Sequence, residues 1–315
     1  MRWSPMLALP AAAWLLGSAA AAQPVPSQDP ANDPETCRGL WEDVGLPRYA
    51  RPEERDAEIV CHKRYVLSHN NNAKTPDWVF EQLKASQFSG TNKRPKLKFK
   101  SEEKVPPGKA ARDEDYKNSG FDRGHQAPSD DFKANPEWMV ESFILSNIVP
   151  QQGKGFNQHI WKDFEDLTRD IAKARGIVYV ITGPIYRDDD GKAPVIGKDF
   201  NKCGNEIKLQ SPNNKREICE AKNEGSSAKC NAGVAVPVGL YKIIYDPDWP
   251  QVNAYILPNI NHTEARESPT PNDYLKRFQV TVHVVERYTG LEFFRDLPKR
   301  DRNRLNLTCG QIMLR

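Results

Sequence analysis

The sequence predicts an α+β fold in a single domain, because predicted strands and helices do not alternate regularly and no internal repeat is present. Short β-branched or apolar runs bounded by turn residues predict the strands, and two segments have helical periodicity. At 315 residues the chain is long enough to bury a substantial core. The predicted strands cover residues 65–67, 97–99, 143–148, 177–182, 240–245 and 252–257.

Two helices are predicted. The first covers residues 157–175, where Ile160, Phe164, Leu167 and Ile171 recur at spacings of four, three and four and form one apolar stripe. The second covers residues 280–288 and ends at Thr289-Gly290, because glycine commonly terminates a helix.

The N-terminal segment resembles a targeting sequence. Arg2 precedes an apolar run over residues 6–17 and small residues over 18–22, which predicts a secretory signal peptide over 1–22. The alternative, a membrane anchor, is disfavoured because the run is shorter than the ~20 residues that span a bilayer. Residues 23–36 are rich in Pro, Asp, Asn and Gln and predict a disordered leader. The mature protein, residues 37–315, is therefore expected to be secreted or periplasmic and free of the membrane.

Cysteines support an oxidising compartment, because an even number in an exported chain favours disulfides. Cys37 and Cys61 both flank the start of the domain, so we expect them to pair. The other four are expected to be shared between an insertion, rich in Asn, Lys and Gly over residues 198–233, and the C-terminus. The six cysteines are Cys37, Cys61, Cys203, Cys219, Cys230 and Cys309.

Positive charge is concentrated locally although the formal net charge is only +3. Residues 96–100 alternate lysine with apolar residues, which predicts a strand with three lysines on one face. Two interpretations remain open: a solvated edge strand protected by lysines, or a surface that attracts phosphates. The basic residues of the segment are Lys93, Arg94, Lys96, Lys98 and Lys100.

Residues 121–128, with the letters FDRGHQAP, combine groups that suit phosphodiester cleavage. His125 titrates near neutrality in its ordinary state and can accept a proton from water. Arg123 offers a planar fork of donors that fits a phosphate, and Gly124 is expected to let the backbone approach a ligand closely. The alternative is a salt-bridged turn, so the interpretation depends on the residues further along the chain.

Three strings come next in order: SNIVPQ at 146–151, FNQ at 156–158, and then Trp161 and Glu165. Together with DRGH they resemble the DNA/RNA non-specific endonuclease family, which includes secreted bacterial nucleases and mitochondrial endonuclease G. Residues 182–186 and 288–294 extend the likeness. The resemblance implies a ββα-metal finger on a mixed, mainly antiparallel sheet flanked by helices.

The resemblance also implies a sugar-non-specific endonuclease that depends on Mg²⁺, with Mn²⁺ or another divalent cation as alternatives. Together with the predicted signal peptide, it predicts a secreted enzyme. We expect it to bind DNA and RNA through backbone phosphates, because no segment looks like a base-reading helix, and to leave 5′-phosphate and 3′-hydroxyl ends. His125 is the implied general base, and Asn157 is the implied metal ligand. An N-cap role is the alternative for Asn157, because the residue begins the periodic segment.

Arg123 and Arg94 are the implied phosphate clamps, although Lys93 beside Arg94 leaves the registration of the second clamp open. Asn147 is implied to position the substrate or the base, and as an isolated asparagine it would be interpreted as a turn residue. We expect Asp122 to hold the turn rather than to act as an acid.

Glu165 is predicted on the same side of the helix as Asn157, about 12 Å away between Cα atoms at ~1.5 Å rise per residue. The resemblance implies that Glu165 orients a metal-bound water rather than the metal itself. The alternative is an exposed glutamate paired with a basic neighbour.

A rival function is a catalytically silent, disulfide-stabilised module that binds polyanions through the basic segment. A serine hydrolase is disfavoured because no G-x-S-x-G string is present, and a cysteine hydrolase because the cysteines are expected to pair.

Overall fold

The computed structural model describes residues 33–94, 96–188, 190–219 and 233–310. The predicted signal peptide, residues 23–32 of the predicted leader and part of the predicted insertion lie outside these ranges. Pro34–Leu40 forms a 3-10 helix, so ordered structure begins within the segment assigned to the leader. Within the ranges given, every helix is too short or too polar to cross a bilayer.

The strands are β1 Arg48–Tyr49, β2 Ala57–Cys61, β3 Tyr65–Asn70, β4 Thr75–Lys84, β5 Asp122–His125, β6 Ile148–Gln151, β7 Ile177–Ile185, β8 Val195–Ile196, β9 Ile207–Lys208, β10 Glu217–Ile218, β11 Val234–Ala235, β12 Gly239–Asp246, β13 Gln251–Pro258, β14 Gln279–Val280 and β15 Leu291–Glu292. The α-helices are α1 Asp113–Tyr116, α2 Pro136–Glu141, α3 Trp161–Arg175, α4 Pro271–Leu275, α5 Val282–Thr289 and α6 Lys299–Leu307. A π-helical segment, Gly153–Ile160, leads directly into α3. The 3-10 helices after Pro34–Leu40 are Pro52–Glu54, Ala85–Phe88, Ser129–Phe132, Leu145–Asn147, Pro212–Asn214, Thr263–Glu267 and Lys276–Phe278.

A seven-stranded sheet with the order β14-β13-β12-β7-β4-β3-β2 forms the centre of the fold, and all of its neighbouring strands are antiparallel. Successive side chains of a strand point to opposite faces, and β7 shows the consequence. Val178 and Val180 pack beneath α3, whereas Tyr179 and Ile181 pack in the cluster that contains α5 and α6. The sheet is therefore covered on both faces, which confirms the α+β class.

Helix α3 carries the predicted apolar stripe. Ile160, Phe164 and Ile171 are buried against the sheet, and Leu167 packs at the edge of the same cluster. Each such side chain contributes about 1.5–3 kcal/mol when it is fully removed from water. The helix ends at Gly176, whose φ of +84° lies in the left-handed region that favours glycine.

The hairpin of β5 and β6 is separate from the central sheet. Its register pairs His125 with Ile148 and Asp122 with Gln151. The chain then passes through the π-helical segment into α3, so that two strands and one helix form the predicted ββα unit. This unit places the DRGH string opposite the start of α3.

Four of the six predicted strands are confirmed, within β3, β7, β12 and β13. The strand predicted at 97–99 is wrong: only Lys100 forms a bridge, with Ile144, and Leu97 is 41% exposed. A period-two pattern forms a strand only where a partner strand completes the hydrogen bonds, and none runs alongside these residues. The lysines of this segment are consequently exposed on an irregular chain, not on one strand face.

The strand predicted at 143–148 is also largely wrong, because Leu145–Asn147 forms a 3-10 helix and the strand begins at Ile148. The side chain of Asn147 bonds to nearby backbone groups, and such bonds compete with a strand ladder. The second predicted helix is confirmed as α5, which ends at Gly290 in the left-handed conformation.

Disulfides join the predicted cysteines. Cys37 pairs with Cys61, as expected, and Cys203 of the predicted insertion pairs with Cys309 near the C-terminus. Cys219 is disulfide-bonded as well. The 106-residue separation of the second pair ties the insertion to the end of the domain.

Candidate active site

A cavity of ≈ 460 Å³ lies between the β5–β6 hairpin, the start of α3 and the loop at residues 90–94. Five of the six predicted site residues line it, and Asn147 does not. The lining residues are Arg94, Arg123, His125, Pro128, Ser129, Asp130, Asn157, Gln158, Lys162, Glu165 and Arg169.

His125 ends β5 and is buried, with 7% of its surface exposed. The rings of Phe99 and Phe143 lie 5.6 and 5.3 Å from its ring, centroid to centroid. Burial, and then the nearby guanidinium of Arg94, lower the pKa of His125 to about 3. The sequence predicted titration near neutrality, which is wrong for this environment, because the two aromatic rings exclude the water that would stabilise an imidazolium. The imidazole is therefore neutral at every pH above about 4, and its low pKa makes it a weak proton acceptor in the free protein.

Gly124 packs against a side chain of the partner strand. A Cβ at this position would lie 2.1 Å from Cδ of Gln151, whose side chain crosses the hairpin. Gln151 is fully buried, so it has no open space into which to move. The glycine allows the Gln151 side chain to pack directly against the backbone of β5 at the residue before His125.

Asn157 lies inside the π-helical segment and is not its N-cap, which rules out the capping alternative. Its Nδ2 donates to Oδ2 of Asp122 at 2.9 Å, and Nε2 of Gln158 donates to the same oxygen at 2.7 Å. Among the described residues, no donor reaches Oδ1 of Asn157. Asp122 therefore acts as a structural partner, as expected, and it orients the Asn157 amide so that its oxygen remains available.

These residues fit a hydrated divalent cation. Mg²⁺ retains several waters and takes few protein oxygens, so one amide oxygen with a carboxylate nearby is an adequate donor set. No cluster of three or more His, Cys, Asp or Glu side chains suited to a metal occurs in the described ranges, which disfavours a structural zinc cage there.

Glu165 lines the same cavity as Asn157 and is not the exposed surface residue of the alternative interpretation. Burial raises the pKa of Glu165 to about 8, although Lys242 and Arg169 favour its ionised form. At neutral pH a substantial fraction of the carboxyl is therefore protonated, and an approaching cation would favour the carboxylate.

Beneath Glu165 lies a buried charged cluster that the sequence analysis missed. Lys242 is 1% exposed, donates to Oγ1 of Thr182 at 3.0 Å, and has Nζ 5.1 Å from the Trp161 ring centroid. Burial lowers the pKa of Lys242 and raises the pKa of the buried Glu81. A lysine and a glutamate in the middle of otherwise apolar strands are the sequence signal that was available for this cluster.

Arg169 forms a further part of the cavity wall that was missed. It pairs with buried Asp131 at 2.6 Å and also with Asp166. Arg169 lies two helical turns after Trp161, whose own ring is buried in the core rather than in the cavity. The sequence signal for Arg169 was its position four residues after Glu165, which places the two side chains on the same face of α3.

Arg123 is held rigidly at the cavity. Its Nε lies 2.7 Å from Oδ1 of Asp113, and one terminal nitrogen donates to the Asp113 carbonyl at 2.7 Å. Its guanidinium carbon lies 5.3 Å from the Tyr116 ring centroid and 5.6 Å from that of Phe99. The remaining donors are available at the cavity wall.

Arg94 makes one cation–π contact among the described residues: its guanidinium carbon lies 5.1 Å from the ring centroid of Phe143. In the part of the chain that the structure describes, it forms no ion pair. Lys93 lines a neighbouring cavity but not this one, whereas Arg94 lines both. This placement favours Arg94 over Lys93 as the second clamp.

Asn147 lies outside the cavity and is fully buried. Its Oδ1 accepts from the backbone N–H of Ala127, and its Nδ2 donates to the carbonyls of Ala127 and Ser142. It therefore cannot contact substrate directly. It can position the base, because Ala127 follows His125 by two residues.

Asn259 was also missed by the sequence analysis. Its Oδ1 accepts from the backbone N–H of Gln152, and its Nδ2 donates to the carbonyls of Pro150 and Pro237. These bonds anchor the end of β6 and the entry to the π-helical segment. An isolated asparagine far along the chain carries no sequence signal for this contact.

Comparison with known proteins identifies what the chain is similar to. The family described as DNA/RNA non-specific endonuclease matches residues 45–300. The chain is 33% identical over 268 residues to "Nuclease EXOG, mitochondrial" of Danio rerio, covering 81% of this chain and 66% of that protein. It is 31% identical over 257 residues to "Nuclease 1, mitochondrial" of Schizosaccharomyces pombe, covering 79% and 69%. The crystal structure of the EndoG/EndoGI complex matches with a TM-score of 0.63 and 29% identity, over 84% of this chain and 94% of that one.

The names of these relatives correct the predicted location of the protein. The relatives from Danio rerio and Schizosaccharomyces pombe are named mitochondrial nucleases, so the predicted secreted or periplasmic location is wrong. The prediction rested on the apolar run within residues 1–22 and on the even number of cysteines, and neither feature identifies the receiving compartment by itself.

Proposed function

The chain belongs to the DNA/RNA non-specific endonuclease family, and on this basis we propose that it cleaves both DNA and RNA with Mg²⁺ as the preferred cation. Membership makes the protein a nuclease of a divalent-metal-dependent family, and nucleic acid its substrate class. Sugar tolerance, the identity of the cation and the roles of the individual residues are our proposals.

One observation carries the proposal. A neutral imidazole, an amide oxygen and a guanidinium face one cavity: those of His125, Asn157 and Arg94. Among the described residues, the amide oxygen has no donor and the guanidinium has no ion-pair partner. A base, a cation ligand and a phosphate clamp are three groups that together suit in-line hydrolysis of a phosphodiester. A polyanion-binding module would need only the guanidinium.

His125 accepts the proton of the attacking water in this proposal. Its low pKa makes it a weak base in the free protein, but a bound phosphate brings negative charge beside it. Negative charge favours the imidazolium, so the pKa of His125 rises when substrate binds. The base is thus neutral before binding and stronger during the reaction.

Arg94 and Arg123 hold the non-bridging phosphate oxygens and so orient the phosphorus toward His125. Asn157 would hold Mg²⁺, or Mn²⁺ or another divalent cation, which when bound stabilises negative charge on the phosphoryl and leaving oxygens. Glu165 accepts a hydrogen bond from water beside Asn157. Cleavage of the bond to the 3′-oxygen leaves 5′-phosphate and 3′-hydroxyl ends.

Plasmid DNA and a structured RNA, each incubated with and without EDTA, test the proposal. We expect fragments of both only when the divalent cation is present, and none from His125→Ala in either case. Products with 3′-phosphate ends, or fragments from His125→Ala at the wild-type rate, would contradict the assigned chemistry. Salt-sensitive binding without any fragments would instead support the rival binding module.

A further inference from the structure

A second cavity of ≈ 330 Å³ adjoins the first. It is formed by the loop at residues 90–94 together with Asp130 and Lys133. Arg94 and Asp130 line both cavities, so they lie at the boundary between them.

Unpaired positive charge is concentrated at this boundary. In the first cavity, Arg123, Lys162 and Arg169 are each already paired with an aspartate. Arg94 and the exposed Lys93 form no ion pair with any described residue. A polyanion is attracted most strongly by cations whose charge is not neutralised, so the favourable path leads from the first cavity toward the second.

The loop that carries these cations is built into the fold. A Cβ on Gly90 would lie 1.8 Å from the carbonyl oxygen of Lys133, so the backbones touch at this point. Nδ2 of Asn92 donates to the same carbonyl at 2.7 Å, and Ala134 N–H donates to the carbonyl of Gln87 at 3.1 Å. Arg94 and Lys93 are therefore presented from a fixed backbone, which reduces the entropy lost on binding.

The lining chemistry selects a phosphate over a base. No aromatic side chain is among the residues that line the second cavity, so a base has no ring on which to stack. Asp130, paired with Lys133 at 3.3 Å, would repel a phosphate placed directly on the boundary. Two phosphates, one on each side of Asp130, avoid that repulsion.

The geometry points to a second phosphate subsite in this cavity, where Lys93 binds the phosphate next to the scissile one and Arg94 lies between the two. This inference rests on the proposed nuclease function. The subsite recognises the charge of the nucleic-acid backbone and not the base sequence, and it lies on one side of the scissile bond only. Cleavage should therefore depend on the backbone charge of one neighbouring linkage more than the other.

An end-labelled oligonucleotide with a single uncharged methylphosphonate linkage tests this asymmetry. Wild-type protein should cut the bond on one side of that linkage about two- to fivefold less than the bond on the other side, the size of one exposed ion pair. Lys93→Ala should cut both neighbouring bonds about equally. Lys198→Ala is the matched control, because Lys198 is exposed, unpaired among described residues and outside both cavities.

The salt dependence of kcat/KM provides a second measurement. Lys93→Ala should reduce the slope of log kcat/KM against log salt by up to about one, and Lys198→Ala should leave it unchanged. Equal cutting on both sides by the wild type, or persistent asymmetry in Lys93→Ala, would overturn the subsite. Absence of cleavage by every protein would instead count against the nuclease proposal itself.

Discussion

Gly124→Ala should destabilise the β5–β6 hairpin, because the added methyl group would lie 2.1 Å from Cδ and 2.2 Å from Oε1 of Gln151. Carbon atoms prefer separations of about 3.5–4.0 Å, so the methyl group is roughly 1.4 Å too close. Gln151 is fully buried and cannot swing into solvent. Overpacking of this kind costs about 1–3 kcal/mol of unfolding free energy.

Activity should fall as well, because relief of the clash displaces the strand next to His125. A shift of about 1 Å in a catalytic group lowers the rate by up to about 10²-fold. Urea unfolding followed by circular dichroism measures the first effect, and the initial rate of plasmid cleavage measures the second. Gly197→Ala is the matched control, since nothing lies within 4 Å of a Cβ there.

Rescue distinguishes packing from a role in ligand approach. Gln151→Ala opens space opposite Gly124, so the double variant Gly124→Ala/Gln151→Ala should recover part of the lost stability relative to the sum of the single variants. If Gly124→Ala instead unfolds at the same urea concentration as Gly197→Ala and only KM rises, the glycine serves the ligand and the packing argument is refuted.

Three further outcomes are expected. Asn147→Ala leaves the Ala127 N–H and two carbonyls without partners and should cost about 2–4 kcal/mol of unfolding free energy, measured with urea; an unchanged midpoint would contradict its positioning role. Burial raises the pKa of Glu165 to about 8 from an ordinary 4.5, so its stabilising contribution is complete below pH 4.5 and is lost as the pH rises through 8. Glu165→Gln should therefore gain stability relative to wild type between pH 5 and pH 8, and a constant difference would refute the shift. Asn157→Ala should raise the Mg²⁺ concentration needed for half-maximal cleavage and lower the maximal rate; an unchanged Mg²⁺ titration would exclude the residue as ligand.

Local patterns predicted the parts of the fold that depend on neighbours in the chain. The stripe of Ile160, Phe164 and Ile171 packs on the sheet as its spacing requires, and Gly290 ends α5. The pattern at 97–99 failed because a strand also needs a partner, and pairing is decided by distant residues. The ordered strings around His125 and Asn157 did predict that the two side chains face one cavity.

Local sequence patterns could not predict properties that depend on packing between residues far apart in the chain. The low pKa of His125 depends on Phe99 and Phe143, which approach from separate loops. Lys242 and Glu81 lie on strands separated by β7, so their proximity follows from the order of the sheet and not from any spacing in the chain. Sequence indicated two charges in apolar strands but could not show that both lie beneath Glu165.

The two arginines of the cavity differ in freedom of movement. Arg123 is fixed by Asp113 and two aromatic rings, whereas Arg94 contacts only the ring of Phe143 among the residues that the structure describes. In the proposed mechanism the fixed guanidinium would set the position of one phosphate, and the adjustable one would follow the next oxygen as the sugar pucker changes. Ribose and deoxyribose backbones space their phosphates differently. A clamp with one stationary and one movable arm can close on either backbone without any rearrangement of the loops that carry it.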